Sequence, residues 1–330
     1  MSIPGDRDRP TVSAILMTTG PNAALRRAVE SVVEQDYRPL ELVIYGNGAS
    51  VDSFEGPHEA DVPVRLGSSG ANLGVAGGRN AAARLATGDI LLFIDDDAVL
   101  LEGSLRRAVD AIRSSSAVGA VAFRIVDPDL GTPALWYYAY DPAVWSGRPF
   151  EASSVIGCGN LIRRDCFERL GGFWDGYFRE LEEIELSWRL LDAGWKIRYE
   201  PEAVVKHSDR THGEHFSHLL ASNLMMFWRL FPLPLALRQS AFMLSYFLVK
   251  AVRLGRLGEL TRGIALAAAG ARRVARERFP LSAPTVRYLR RVHACQSFGK
   301  RLQWSLRPLP PPRPFGDQPV AVGGSFRPER

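Results

Sequence analysis

Hydrophobic positions change their period three times along the chain, and each change predicts a different kind of structure. Residues 12–17 form a β-branched apolar run, residues 23–35 place Leu25, Val29, Val32 and Val33 at helical spacing, and residues 40–45 are apolar and extended again. That is a β-α-β unit. A second round follows, with a short strand at 62–66, an alanine-rich helix at 77–87 and a buried strand at 89–94 that runs into three aspartates. A helix at 103–114 and a strand at 118–125 continue the alternation, which predicts a mostly parallel sheet with helices on both faces. Ligands of such sheets sit outside the carboxyl ends of the strands, so the loops after Met17, Tyr45 and Ile94 are where function is to be sought.

From 153 to about 208 the pattern shifts to short strands around one strong helix, 181–193, with Gly194 as its stop. From 215 to 301 the chain reads as helices with Leu, Phe and Trp on one side and Arg on the other. Residues 302–330 are rich in proline and glycine without any period, which predicts a disordered tail. The expected organisation is an α/β domain over 1–214, a helical region over 215–301 and a tail over 302–330.

Composition narrows the class. With 330 residues, 46% hydrophobic and 23% charged, the chain has material for a large globular domain and an appendage. The net charge of +5 comes from 41 basic and 36 acidic residues, and only four of the bases are lysines; an arginine excess of this size suits phosphate or anionic lipid. Cys158, Cys166 and Cys295 form no CxxC pair, which argues against a disulfide scaffold or a zinc ribbon. The first residues hold no apolar signal region, so a cytoplasmic location is expected. The stretch 224–249 is strongly apolar, but Arg229, Arg238, Pro232 and Pro234 interrupt it, and its longest uncharged piece, 239–249, falls short of the ~20 residues of a span.

Four segments could carry chemistry. In FIDDDA, residues 93–98, an apolar strand delivers Asp95, Asp96 and Asp97 into a loop, where adjacent carboxylates are tolerable if a hard divalent cation or solvent neutralises them. The bland reading is an acidic turn. In RELEEIELSWRL, residues 179–190, Glu182, Glu183 and Glu185 crowd a helix start; a solvated acidic end with a Glu185–Arg189 pair explains part of this. Leu181, Ile184, Leu186 and Trp188 leave little of the segment to face water, and crowded glutamates in a partly apolar pocket acquire the raised pKa of a general base. Residues 72–89, NLGVAGGRNAAARLATGD, match neither a Rossmann fingerprint nor Walker A, yet Arg79 and Asn80 at a helix start suit a phosphate or a base. Of the histidines His207, His212, His215 and His218, only His207 follows a strand, at 203–205.

In this order and spacing the segments resemble the family 2 glycosyltransferases of GT-A fold, a Rossmann-like, mostly parallel sheet flanked by helices. The resemblance covers roughly residues 10–210. It rests on TTGPNAALRRAVESVVEQDY after the first strand, ELVIYGNGAS at the second, Asn72-Leu73-Gly74 with Arg79-Asn80, and a D-x-D motif on Asp95 and Asp97. GCGNLIRRDCFERLGGFWDGYF, residues 157–178, looks like the acceptor-side glycine segment and its G-G-F turn. The family's E-D-x-D-L-x-x-R becomes Glu182-Glu183-Ile184-Glu185-Leu186 up to Arg189, and its P-x-A-x-V-x-H ending falls on 201–207.

The resemblance implies transfer of a sugar, with inversion, from a nucleotide-diphosphate donor to a hydroxyl of a glycan or lipid-linked acceptor. Mg²⁺ or Mn²⁺ would be held by Asp97, Asp95 and His207, and Glu183 would be the base. Thr19, Asn47, Arg79, Asn80 and Asp95 would line the donor pocket, with Asn160, Glu182, Trp188 and Arg189 toward the acceptor. Three departures stand out: Gly46 where many members carry aspartate, Glu183 where the base is usually aspartate, and Gly20-Pro21-Asn22 after the threonine. They keep open a catalytically silent binding or assembly protein as the alternative. Nucleic acid is not an expected partner, because the bases form no stripe interleaved with exposed aromatics. For 223–270 two readings stand: amphipathic helices in peripheral contact with the inner face of the plasma membrane, or a helical subdomain packed on the core.

Overall fold

The computed structural model describes residues 9–54, 62–129, 131, 133, 138, 140–207 and 215–292. The expected tail at 302–330, His212, Cys295 and the expected domain boundary at 214 lie outside the described residues.

The first β-α-β unit is β1 (Val12–Thr18), α1 (Ala23–Val33) and β2 (Leu40–Asn47). Asn22, one of the departures from the family pattern, caps α1: its Oδ1 accepts from the Leu25 N–H at 2.9 Å. The helical spacing seen in sequence is the buried face, with Leu25, Val29, Val32 and Val33 all against the sheet. β3 (Val64–Ser69), α2 (Gly74–Ala83) and β4 (Ile90–Asp95) make the second round. α2 starts three residues before its expected position. Gly74 enters it at φ +74°, a left-handed backbone that suits glycine, and the next residue's N–H donates to the Phe178 carbonyl at 2.7 Å.

β5 (Val99–Leu100), α3 (Ser104–Arg113), β6 (Val118–Val126), α4 (Pro142–Trp145), β7 (Phe150–Ala152), β8 (Gly159–Arg163), α5 (Arg164–Arg169), α6 (Glu182–Asp192) and β9 (Lys196–Lys206) complete the α/β part. The nine-stranded sheet has the order β3-β2-β1-β4-β8-β6-β9-β5, with β7 also on β9. The parallel expectation holds for β3-β2-β1-β4 and for β6 with β9. Elsewhere the sheet is mixed, because β8 inserts antiparallel between β4 and β6, and β5 and β7 both run antiparallel to β9. Short strands such as β5 carry no periodicity that would announce their direction.

Beneath the first two strands lies a buried carboxylate, Glu41, which accepts hydrogen bonds from the Ser13 and Thr87 hydroxyls and from Arg65 Nε at 3.0 Å. Burial alone would raise its pKa; the hydrogen bonds from Ser13, Thr87 and Arg65 outweigh it and hold the pKa down to about 2. A folded pKa below the unfolded one stabilises the fold above the unfolded value and loses that contribution as pH falls toward 2. Glu41→Gln should therefore lower unfolding free energy at neutral pH by about 3 kcal/mol. In urea titrations the gap from the parent should close between pH 4.5 and 2; a gap independent of pH would refute this role.

The helical region is α7 (Phe216–Leu230), α8 (Leu233–Leu254), α9 (Leu257–Arg276) and α10 (Ala283–Val292). α7 is buried on nearly all sides, packed with α8 and α9 and against Trp174, Tyr177, Ile184 and Trp188 of the α/β part. Arg229, which breaks the apolar run in sequence, is one of its seams. Its Nε donates to Glu185 Oε1 at 3.1 Å and its guanidinium lies 4.8 Å from the Trp174 ring centroid.

Candidate active site

Three strand ends and one helix start converge. β4 ends in Asp95, and the chain turns through Asp96 and Asp97 into β5. Because β5 pairs with the end of β9, Val99 opposite Lys206, the residue after Lys206 falls beside this turn. That residue is His207. Its Nε2 lies 3.2 Å from Asp97 Oδ1 and 4.0 Å from Asp95 Oδ2. One ligand atom from each of the three lies within 4.8 Å of the others, so the set can close around one cation. Two carboxylate oxygens and an imidazole nitrogen form a donor set that suits Mn²⁺ and admits Mg²⁺.

The aspartates differ in character. The His207 hydrogen bond holds the Asp97 carboxyl below its ordinary value, against some burial. Asp96 is pushed up to about 6, first by burial and then by Asp95 and Asp97 on either side, despite a hydrogen bond with Thr18. The sequence pattern marks Asp96 only as the middle of D-x-D, and its contact with the end of β1 is a product of strand adjacency alone.

Arg79 joins this turn to α6. Its guanidinium is buried, donating from Nη2 to Asp95 Oδ1 at 2.6 Å and to the Gly157 carbonyl at 3.1 Å, and from Nη1 to Glu182 Oε1 at 2.9 Å. Arg79, an expected donor contact, is a strut between two acidic segments. Nothing in its local sequence announces this, since its partners lie 16 and 103 residues away.

Glu182 and Glu183 open α6, just after Glu180 and Leu181 at φ +72° and +70°. Consecutive non-glycine residues in this region are strained, and the turn presents both glutamates at the helix start. Both are buried. Burial raises the Glu182 pKa and the Arg79 charge partly offsets it. Glu183 is raised well above the ordinary carboxylate range, by burial first and by the charge of Glu182 second. Behind them, the Ser187 hydroxyl donates to the Glu183 carbonyl at 2.6 Å and accepts from the Val155 N–H at 3.0 Å, fixing α6 to the segment that carries Gly157.

Thr19 is exposed at the end of β1. The Asn47 amide is engaged with the next loop, donating to Gly74 O at 2.9 Å and Asn72 Oδ1 at 3.1 Å and accepting from the Leu73 N–H at 2.8 Å. Asn80 likewise pairs in both directions with the Phe173 backbone, at 2.7 and 2.9 Å, and holds the G-G-F turn. Of the weaker acceptor-side residues, Asn160 is fully buried in β8 and donates to Ile156 O at 2.8 Å. Trp188 stacks on Phe231 at 5.6 Å, and Arg189 holds Leu170 O, Gly172 O and Glu185 at 2.6 to 2.9 Å. On α6, Trp188 packs into the cluster that joins the α/β part to α7, and Arg189 holds the backbone of the G-G-F turn. At Gly46 a Cβ would run into the Ala49 carbonyl, so the turn after β2 has no room for a side chain there.

Residues 13–171 match Glycosyl transferase family 2, a stretch that runs from β1 through α5 and includes the D-x-D turn. These residues are a family 2 glycosyltransferase domain. The chain is 28% identical over 219 residues to a pre-mycofactocin glycosyltransferase of Mycobacterium tuberculosis, covering 63% of this chain and 44% of that relative, less than half its length. It is 26% identical over 282 residues to the N-acetylglucosaminyl-diphospho-decaprenol L-rhamnosyltransferase of the same organism, covering 72% of this chain and 92% of the relative. Among solved structures, the mannosyltransferase PcManGT from Pyrobaculum calidifontis in complex with GDP-Man and Mn²⁺ shares the fold at a TM-score of 0.54 and 20% identity, over 93% of this chain and 83% of that one. The match to family 2 agrees with the α/β, GT-A expectation, and the C-terminal helices are present as α7 to α10.

Proposed function

We propose that the chain is an inverting glycosyltransferase that moves a sugar from a nucleotide-diphosphate donor to an acceptor hydroxyl, on a glycan or a lipid-linked glycan. One observation carries the reading. Arg79 bonds at once to Asp95 of the candidate cation group and to Glu182, the neighbour of Glu183, so a diphosphate-binding group and a raised-pKa carboxylate share one site. The relatives support the reaction class, and the rhamnosyltransferase, named for a decaprenol-linked acceptor, supports a lipid-linked one.

Asp95, Asp97 and His207 would hold a divalent cation, which would supply positive charge against the charge developing on the departing diphosphate. Glu183 accepts the proton of the acceptor hydroxyl while its oxygen forms the new bond from the opposite face, which inverts the anomeric centre. Arg79 and Glu182 position the two halves of this machinery. Residues 1–214 hold 22 basic and 32 acidic residues, so a donor diphosphate meets a net negative domain and needs the cation's charge at its landing place.

The direct test is calorimetry of UDP, dTDP, GDP and their sugar conjugates with Mn²⁺ and then with chelator. Metal-dependent micromolar binding of one nucleotide is expected, on the order of −8 kcal/mol. Asp97→Ala should weaken that binding about tenfold or more and remove most of the difference between metal and chelator. Binding indifferent to metal would overturn the cation assignment. A folded protein that binds none of the nucleotides would replace the transferase reading with the silent binding-protein one.

A further inference from the structure

α8 is the one helix among the described residues long and apolar enough to cross a membrane, yet it is part of a bundle. Ala236, Ser240, Phe247 and Ala251 are buried, and Phe247 lies edge-on to Phe216 of α7 at 4.8 Å within a cluster that includes Leu220, Leu224 and Leu260. Pulling α8 out to span a bilayer would open this cluster, so only its outer face is available to anything else.

That outer face inverts the usual rule. Leu237, Phe242, Val249 and Val252 are 56%, 38%, 52% and 63% exposed, where a surface helix ordinarily presents polar residues. Exposed Arg238 and Arg253 bracket the apolar stretch, about 22 Å apart along the helix. Lys250, between them, leans back over the Phe216 ring at 5.9 Å.

Charge supplies the identity of the occupant. Residues 215–292 hold thirteen arginines and lysines against Glu259 and Glu277, whereas residues 1–214 are net acidic. Exposed Arg262, Arg272 and Arg276 on α9 and Arg287 and Arg290 on α10 extend this field beyond α8. A second copy of the chain would bring two such fields together, and like charges oppose that contact. Nucleic acid phosphates would gain the arginines but leave the valines and Phe242 against polar backbone.

We infer that the outer face of α8 docks on a bilayer containing anionic lipid, with the helix lying in the plane of the interface. The apolar side chains enter the acyl boundary and the arginines meet headgroup phosphates. The surface is narrower than the 223–270 expected from sequence, because α7 through Leu230 lies inside the bundle. This inference stands on the helical region alone, and vesicle binding is measured without donor, acceptor or turnover, so its failure would leave the transferase reading untouched.

The experiment is co-sedimentation of the full chain with vesicles of phosphatidylcholine alone or with about 30% phosphatidylglycerol. Binding to the anionic vesicles only, released by high salt or alkaline carbonate, is expected. Phe242→Asp with Val249→Asp should weaken it on the order of tenfold or more, and Arg238→Glu with Arg253→Glu should do so independently, both with an unchanged thermal melt. Should the first pair fail to fold, the second decides. No sedimentation with anionic vesicles, equal binding by parent and variants, retention through carbonate, or a lipid-free dimer that the apolar pair dissolves would each overturn the inference.

Discussion

Replacing Glu183 with glutamine lowers transfer on the order of 10³-fold while donor affinity stays at the parent value. The substitution keeps the shape of a buried side chain and removes only its ability to take a proton, so a loss confined to turnover isolates the base role. Because burial and the neighbouring Glu182 raise the Glu183 pKa, its carboxyl keeps its proton to higher pH than an ordinary carboxylate. Transfer by the parent should therefore rise with pH as Glu183 loses its proton, and the residual activity of Glu183→Gln should lack that rise. The same shift has the opposite sign for stability: a folded carboxyl pKa above the unfolded one favours the fold at low pH, a contribution that declines as pH climbs past the unfolded value. Unfolding free energy of the parent should accordingly fall, relative to Glu183→Gln, on going from pH 4.5 upward. Initial rates across pH and urea titrations of both proteins check the two limbs. Full activity in the variant would remove Glu183 from the reaction, and a shared pH profile would assign the titration to another group.

Arg79→Met produces the largest loss of stability. It keeps most of the buried volume and removes the charge that Asp95 and Glu182 share, leaving one carboxylate buried and the other half-buried with no counter-charge from this strut. Breaking a buried pair from one side costs about 3–5 kcal/mol, read from the urea midpoint at constant m. Arg79→Lys should recover only part of it, because a single ammonium cannot reproduce a fork that reaches two carboxylates and the Gly157 carbonyl. Adding Glu182→Gln to Arg79→Met should cost less than the sum of the two changes, since the second removes a charge the first had stranded. Additive losses, or a change within about 0.5 kcal/mol for Arg79→Met, would show that the strut does not hold the site together.

The D-x-D turn was legible because an apolar strand followed by carboxylates is a local pattern, and β4 delivers Asp95 where that pattern says. Glu183 was legible from crowding: three glutamates among Leu181, Ile184, Leu186 and Trp188 have no room to be solvated, and all three are buried. His207 was singled out by the strand before it, although its meeting with Asp97 depends on the β5–β9 register. Arg79, Asn47 and Asn80 are expected donor contacts by residue type and by a helix start, which sequence displays, while their protein partners are not visible in it. In the structure they bind Glu182, Gly74 and Phe173, each more than 25 residues away. Trp188 and Arg189 are placed toward the acceptor by their motif; in the structure Trp188 packs with α7 and Arg189 holds the Leu170 and Gly172 carbonyls, partners that an amphipathic pattern does not name.

What the amino-acid sequence determined by itself is what depends on neighbours along the chain: the β-α-β alternation, the carboxylates at a strand end and at a helix start, and an apolar helix bracketed by arginines. Period, propensity and local charge are short-range properties, and sequence records them directly. The tertiary structure alone decided which of those features meet. The antiparallel insertion of β8 and β5, the closure of Asp95, Asp97 and His207 into one group, the Arg79 strut and the outward turn of the α8 apolar face all depend on strand register and on which face another element covers. Those are set by the packing free energy of the whole core, to which every buried residue contributes and which no single segment encodes.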